Sequence, residues 1–136
     1  MSEINIGIIG ASGYTASELI RIAHNHPEIN IKFLVGNSKA GQEISKIYSH
    51  LKFSNLPKII KLNQVDFTAV KLIFLCLPHG ESAKIIDQIP KDIKIIDLSS
   101  DFRIKNNSLY EEFYDSKKNC KYNEETAYGL SEIYFN

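Results

Sequence analysis

A set of glycines close to the amino terminus has the spacing expected of a phosphate-binding turn. Gly7, Gly10 and Gly13 are three residues apart, and they belong to a segment that opens with the apolar run Ile4–Ile9. Glycine at such a turn lets backbone N–H groups approach a phosphate, because a Cβ atom would hold the ligand away. The helix predicted to follow adds unpaired N–H groups and its positive dipole end. The turn is therefore predicted to hold the pyrophosphate of a dinucleotide, the alternative being a tight turn without a ligand. The residues of this phosphate loop are Gly10, Ala11, Ser12, Gly13, Tyr14 and Thr15.

The residues after the second apolar run indicate which dinucleotide is bound. In NAD-binding units an Asp or Glu about twenty residues past the glycines bonds the ribose 2′-OH. Here the run Ile31–Val35 leads into Gly36-Asn37-Ser38-Lys39, which contains no carboxylate. Ser38 can donate a hydrogen bond and Lys39 a positive charge to a 2′-phosphate, so NADP is favoured over NAD. The alternative is that Lys39 is one more surface lysine.

The elements that position these residues alternate along the first 98 residues. Strands are predicted at Ile4–Ile9, Ile31–Val35, Leu72–Leu77 and Ile93–Leu98, with a weaker candidate at Lys58–Leu62. Helices are predicted at Tyr14–His24, at Glu43–Tyr48, and from Gly80 or Glu81 to Gln88. Near-continuous apolar strands that alternate with amphipathic helices are typical of βαβ units. The fold class is therefore α/β, with a Rossmann-like, doubly wound, mostly parallel sheet and helices on both faces. Residues 99–126 show no long periodic segment and are read as irregular, or as the wall of a ligand crevice.

The composition excludes several classes of protein. The chain has 136 residues, with 16 basic and 16 acidic side chains, so it lacks the positive charge expected of a nucleic-acid or membrane-surface protein. No apolar run approaches the roughly 20 residues that span a bilayer, and no secretory signal is recognisable. Two cysteines are too few for a disulfide framework or a zinc site. One cytoplasmic domain without a metal is expected.

Several short strings resemble the N-acetyl-gamma-glutamyl-phosphate reductase family, which is related to aspartate-semialdehyde dehydrogenase. They are the phosphate loop, His26-Pro27, Ala40-Gly41, Leu77-Pro78-His79-Gly80, Asp97-Leu98-Ser99-Ser100-Asp101-Phe102-Arg103 and Tyr128-Gly129-Leu130-Ser131-Glu132. They follow the family's order over essentially the whole chain, and the Asp-Leu-Ser-x-Asp-Phe-Arg string is far more specific than the glycines. One departure is Ala16, where the family usually has a glycine; its methyl group is expected to be tolerated, with slight crowding of the pyrophosphate.

The resemblance implies roles for residues at the ends of the later strands. Leu77, Pro78 and His79 would border the cofactor, although His79 alternatively only bonds the turn. Ser99 and Arg103 would face the nicotinamide and the substrate side, with Asp101 orienting Arg103. The alternative for Asp101-Phe102-Arg103 is a surface ion pair around a buried phenylalanine. A group of tyrosines is expected to pack rather than react: Tyr110, Tyr114, Tyr122 and Tyr128.

The resemblance also implies the reaction, which is NADPH-dependent reduction of N-acetyl-glutamyl 5-phosphate to the 5-semialdehyde in arginine biosynthesis. In that family a cysteine thiolate attacks the acyl phosphate. That cysteine is expected beyond Asn136, so residues 1–136 are read as the NAD(P)-binding Rossmann domain of a longer, homo-oligomeric enzyme. Cys76 and Cys120 are expected to be non-catalytic, and the 136-residue piece alone is expected to be inactive.

The sequence leaves two alternatives open. One is a stand-alone NADP-binding module without catalysis, and the other is a fragment of an aspartate-semialdehyde dehydrogenase. An in-frame Asn-Pro-Gly-Cys downstream of Asn136 would favour the reductase over the module.

Overall fold

The computed structural model describes residues 3–52, 55–114, 125–129 and 132–133. Its five parallel strands are β1 (Ile4–Ile9), β2 (Ile29–Val35), β3 (Ile59–Ile60), β4 (Leu72–Leu75) and β5 (Lys94–Asp97). Its α-helices are α1 (Tyr14–His24), α2 (Ser82–Ile85) and α3 (Asn107–Tyr114). Short 3₁₀ turns occupy Ile44–Lys46, Leu62–Gln64, Phe67–Ala69 and Ile86–Gln88. The predicted α/β class with a parallel sheet is confirmed.

The strand order is β3-β2-β1-β4-β5, so the chain crosses from one side of β1 to the other after β3. β1 pairs in parallel with both β2 and β4, and Ile6 and Ile8 on it are fully buried. In an open α/β sheet, ligands bind outside the carboxyl ends of the strands at the point where the order reverses. That point lies between β1 and β4, directly beside the phosphate loop.

Helices cover both faces of the sheet, as the near-continuous apolar strands require. On one face α1 contributes Ala16, Ile20 and Ala23 to the cluster around Ile6 and Ile8. A second core cluster lies on the other face, where the segment that contains α2 contributes Ile85 and Ile89. The buried residues of this second cluster are Ile9, Phe33, Val35, Val70, Ile73, Leu75, Ile89 and Ile93.

The boundaries of some elements differ from the sequence prediction. Helix α1 has the predicted ends, but the predicted helix Glu43–Tyr48 is only a 3₁₀ turn at Ile44–Lys46. The helix predicted to end at Gln88 begins at Ser82 and changes to 3₁₀ geometry at Ile86. The segments around Ile44 and Ser82 are short, and the conformational entropy lost in nucleating a helix exceeds what a few hydrogen bonds contribute. A short segment therefore forms little regular α-helix.

Reading residues 99–126 as free of helix was wrong, because α3 lies within them. Asn106 caps the amino end of this helix, because its side-chain Oδ1 accepts a hydrogen bond from the Leu109 N–H at 3.0 Å. Tyr110 is the buried residue of α3, whereas Leu109 and Phe113 are exposed. Leu109, Tyr110, Phe113 and Tyr114 share one face of this helix at i, i+1, i+4 and i+5 spacing. The periodic signal was therefore present in the sequence, but it spans only two turns.

Among the described residues, no helix has both the length and the apolar character needed to cross a membrane.

Candidate functional site

The phosphate loop is fastened to the second strand by two of its own amides. The N–H groups of Gly10 and Ala11 both donate to the carbonyl oxygen of Val35, each at 2.9 Å. Both N–H groups therefore donate to β2 and not to a ligand. The prediction that these two amides contact a phosphate was wrong. The Ala11 side chain is also fully buried. The first half of the loop therefore joins β1 to β2 and to the core.

The free amides lie in the first turn of α1. The first bond within the helix runs from the Ser17 N–H to the Gly13 carbonyl at 3.0 Å. The amides of Tyr14, Thr15 and Ala16 precede it and have no acceptor within the helix. They lie at the positive end of the helix dipole, at the sheet edge where the order reverses. This turn has the chemistry expected of a phosphate site.

Gly10 is required by the fold before any ligand is considered. Its φ is +89°, and a Cβ atom there would collide with the Cys76 carbonyl oxygen and lie 2.7 Å from its carbonyl carbon. The side chain of any other residue would therefore point into the end of β4 and not into the ligand crevice. The sequence-based explanation, that a Cβ at this position would mainly exclude the pyrophosphate, was wrong.

Gly7 is likewise a packing position. A Cβ on Gly7 would overlap the Phe33 ring, lying 2.9 Å from Cε1 and closer still to Cε2 and Cζ. That ring is buried, with an edge-on contact to Phe67 at 6.3 Å between centroids. At Gly13, by contrast, a Cβ would meet only ordinary contacts of 3.5 Å or more. The three glycines therefore have different physical roles.

The departure at Ala16 does not affect the loop in the way expected. The Ala16 side chain is fully buried in the core beneath α1. The expectation that its methyl group crowds the pyrophosphate was wrong, because that group faces the sheet.

Tyr48 supports the phosphate loop and was not singled out from the sequence. Its hydroxyl donates to the Ser12 carbonyl oxygen at 2.7 Å, and its ring lies 6.0 Å from that of Tyr14. Burial, and then the neighbouring Tyr14, raise the pKa of Tyr48, so its hydroxyl remains a donor. A string of turn residues carries no local signal for a contact 36 residues away.

We predict that Tyr48→Phe lowers the free energy of unfolding by about 1 kcal/mol, the typical net value of one hydrogen bond. The ring contacts survive, so the loss isolates the bond to Ser12. Urea unfolding followed by circular dichroism measures it. The matched control is Tyr14→Phe, because Tyr14 is 86% exposed. Equal stability of Tyr48→Phe and the unsubstituted chain would contradict a supporting role for the hydroxyl.

The predicted 2′-phosphate residues lie at the same sheet edge. Gly36 follows β2, and a Cβ on it would lie 3.9 Å from the Ser12 Oγ, which places this turn next to the phosphate loop. Ser38 and Lys39 are exposed two and three residues further on. Their side chains are available to an anion bound beside β2.

Leu77 adjoins the phosphate loop from the other side. Its Cδ2 atom lies 3.1 Å from the Cβ position of Gly10. Pro78 and His79 are exposed, and the His79 ring lies 6.3 Å from that of Tyr114 on α3. The structure thus brings the loop after β4 beside the loop after β1, as the sequence predicts.

Ser99 is held in a buried network. Its Oγ donates to the Asp97 Oδ2 at 2.7 Å and its N–H donates to Oδ1 at 2.9 Å. The same Oδ1 accepts from the Ser82 Oγ at 3.0 Å, and Ser82 is fully buried. The Ser99 hydroxyl proton is therefore engaged within the protein, which limits the predicted contact of Ser99 with a nicotinamide to acceptance or to its backbone.

Asp101 does not orient Arg103, and that prediction was wrong. The Arg103 Nε–H donates to the Ser99 carbonyl at 2.8 Å, and its Nη2 donates to the Leu98 carbonyl at 3.0 Å. The Asp101 carboxylate instead accepts from the amides of Gly80 and Ala83. The alternative, a surface ion pair, is also wrong, because Asp101 and Arg103 do not bond each other.

A groove of about 1110 Å³ lies along β5 and the end of the α2 segment. Ser99, Phe102 and Arg103 line it together with residues 125–129. None of the phosphate-loop residues lines it. The groove places Arg103 beside a cavity, whereas the candidate phosphate site is the first turn of α1, which does not line this groove.

Cys76 is unsuited to nucleophilic chemistry. Burial, with a smaller contribution from the Asp97 charge, raises the pKa of the Cys76 thiol to about 12. Cys120 and Tyr122 lie outside the described residues. Within the described part of the chain, no group of three or more His, Cys, Asp or Glu side chains is arranged to hold a metal.

Comparison with known proteins places this site in context. Residues 5–136 match the family model described as semialdehyde dehydrogenase, NAD binding domain. The chain is 41% identical over 132 residues to a probable chloroplastic N-acetyl-gamma-glutamyl-phosphate reductase of Arabidopsis thaliana, covering 96% of this chain and 33% of that protein. It is also 41% identical over 130 residues to the N-acetyl-gamma-glutamyl-phosphate reductase of Rhodobacter capsulatus, covering 95% of this chain and 38% of that protein.

Solved structures with the same fold include aspartate semialdehyde dehydrogenase with NADP from Candida albicans. The TM-score is 0.60 at 18% identity, over 82% of this chain and 36% of that one. Aspartate semialdehyde dehydrogenase II of Vibrio cholerae gives the same score and identity over 78% and 34%. At this identity the likeness shows the fold alone. The chain spans about a third of the length of the curated relatives it matches.

Proposed function

The chain belongs to the family of semialdehyde dehydrogenase NAD-binding domains, and we propose that it forms the NADP-binding part of an N-acetyl-glutamyl 5-phosphate reductase. The reaction converts the acyl phosphate to the 5-semialdehyde and releases inorganic phosphate, as one step of arginine biosynthesis. The names of the relatives at 41% identity support this substrate. The observation that carries the proposal is the set of free first-turn amides of α1 at the reversal of strand order.

The residues at the sheet edge fit a dinucleotide. The first-turn amides of α1 bind the pyrophosphate, and the exposed turn with Ser38 and Lys39 binds the adenosine end beside β2. The other half then extends towards the ends of β4 and β5, because those strands lie on the opposite side of β1. NADPH supplies a hydride when it is bound. The buried sheet beneath the loops supplies a rigid base that keeps these contacts in register.

Arg103 is proposed to face the substrate. A guanidinium carries five N–H donors, and the bonds to the Ser99 and Leu98 carbonyls use two of them. Those two bonds fix the plane of the group beside the groove. The other donors suit a carboxylate or a phosphate, and an acyl phosphate derived from an amino acid carries both.

We predict that the chain binds NADP at least tenfold more tightly than NAD, and that Lys39→Ala removes most of this difference. A single well-placed charge on a phosphate contributes on the order of 1 kcal/mol, about a five- to tenfold change in affinity. Calorimetric titration with both dinucleotides measures it. The control is Lys32→Ala, which removes an exposed lysine from the middle of β2.

Equal affinities for NAD and NADP in the unsubstituted chain would rule out the assignment of the cofactor. A Lys39→Ala variant that keeps its NADP affinity would rule out this lysine as the specificity residue, while leaving the dinucleotide site in place.

A cytoplasmic location and a homo-oligomeric full-length enzyme remain predictions from the sequence. Two of the relatives are named as chloroplastic, so fractionation of the source cells is the direct test of location.

A further inference from the structure

The Asp101 carboxylate spans the gap between the loops that follow β4 and β5. Its Oδ1 accepts from the Gly80 N–H at 2.5 Å, and its Oδ2 accepts from the Ala83 N–H at 2.9 Å. Asp101 is only 2% exposed. Hydrogen bonds from amides to a carboxylate are stronger than those between neutral groups, and more so away from water. Both oxygens of this side chain therefore fix the segment that follows the Leu77–His79 loop.

The backbone of Asp101 is itself anchored to β5. Its N–H donates to the Ser99 Oγ at 3.2 Å, and the same oxygen donates to Asp97 at the end of the strand. Asp97 in turn accepts from the Ser82 hydroxyl. Two links therefore join the end of β5 to the start of α2, one through Asp101 and one through Ser82.

Helix α3 covers this connection. Tyr110 is buried, and its hydroxyl lies 3.5 Å from the Asp101 Oδ1. Tyr110 contacts Tyr114 at 4.8 Å between ring centroids, and Tyr114 lies against His79. Helix α3 thereby keeps water from the Asp101 carboxylate. The loop after β4 is contacted both by α3, through His79, and by Asp101, through Gly80.

We propose that Asp101 is a positioning residue for the nicotinamide half of the dinucleotide, an inference that rests on the proposed function. With the pyrophosphate at α1 and the 2′-phosphate beside β2, the nicotinamide half must lie over the ends of β4 and β5. In this placement the nicotinamide half lies between the Leu77–Gly80 loop and residues 99–103. Asp101 sets the separation of these two segments, because its carboxylate accepts the bond that joins one to the other.

Asp101→Asn tests the proposal through two ligands. The substitution replaces one carboxylate oxygen with an N–H₂ donor, so the amide of either Gly80 or Ala83 loses its acceptor. Calorimetric titrations use NADP and adenosine 2′,5′-bisphosphate, which lacks the nicotinamide half. We expect NADP to bind tighter than the bisphosphate in the unsubstituted chain, and about tenfold weaker in Asp101→Asn. The affinity for the bisphosphate is expected to stay within twofold, whereas a general loss of structure would weaken both.

The matched control is Asp66→Asn. The Asp66 carboxylate also accepts a bond from a backbone amide, that of Thr68 at 3.0 Å, but it lies in the connection between β3 and β4 and its bonds are local to that connection. Both affinities are expected to be unchanged in this variant. If Asp101→Asn does not fold, Ser82→Ala replaces it, because it removes the second link alone and is expected to weaken NADP two- to threefold without affecting the bisphosphate.

The outcomes separate the inference from the function on which it rests. Failure of the unsubstituted chain to bind either ligand would refute the proposed function. If the chain binds NADP no tighter than the bisphosphate, the nicotinamide half is not held here and the inference is overturned. Equal loss of both ligands in Asp101→Asn, or no loss of either, also overturns it while the dinucleotide site stands.

Discussion

Gly10→Ala is expected to destabilise the fold by roughly 2–5 kcal/mol, the sum of left-handed backbone strain and steric overlap. The strain arises because Gly10 has a φ of +89°, and the overlap arises because the new Cβ meets the Cys76 carbonyl. Domains of this size have a free energy of unfolding of about 5–15 kcal/mol, so the variant is expected to lose a large share of its stability. Urea unfolding followed by circular dichroism gives the value.

Gly41→Ala is the matched control for this substitution. Gly41 has nearly the same backbone angle, with a φ of +88°, but a Cβ there would meet nothing within 4 Å. It should therefore show the strain alone, about 1–2 kcal/mol. The difference between the two variants measures the overlap with β4. If both substitutions cost the same, the close approach of Gly10 to Cys76 is not what fixes the glycine.

The Cys76 thiol is expected to react at least about 100-fold more slowly than an ordinary cysteine at pH 8. A pKa of about 12 leaves a thiolate fraction of about 10⁻⁴ at that pH, against about a quarter for a thiol of pKa 8.5. The two thiolate fractions differ by a factor of over a thousand. A more basic thiolate is a better nucleophile, which offsets part of this factor, whereas burial slows the access of the reagent. The rate should rise about tenfold per pH unit with no plateau near pH 9.

Alkylation with iodoacetamide, quantified on the Cys76 peptide by mass spectrometry, measures this rate. The reference is the same peptide alkylated after unfolding in urea. A titration midpoint near pH 8.5 in the folded chain would contradict the buried environment and would reopen Cys76 as a nucleophile.

The same pKa shift predicts how stability depends on pH. The folded-state pKa of Cys76 lies above the unfolded value, so its stabilising contribution is complete below about pH 8.5. It declines as the pH rises towards 12, because the unfolded chain releases the proton while the folded chain retains it. Cys76→Ala should show a weaker loss of stability over that interval.

The sequence by itself determined the class of fold and the position of the strand, turn and helix where the phosphate site is proposed. Apolar runs and helical periodicity are local properties, so they identified β1, β4, β5 and α1 closely and β2 with a displaced start. The Gly10–Thr15 loop could be placed for the same reason, since a strand, a turn and a helix follow one another directly. The absence of a carboxylate after β2 is also local.

Only the tertiary structure decided what the individual residues do. Gly10 avoids the carbonyl of Cys76, Tyr48 bonds Ser12 across 36 residues, and Asp101 bonds Gly80 across 21. Each of these contacts is set by which strands lie side by side and in what register. Residue types leave that open, because an aspartate two residues from an arginine suits an ion pair as well as it suits two distant amides. The sheet brings those amides within reach, and burial then makes them the stronger partners.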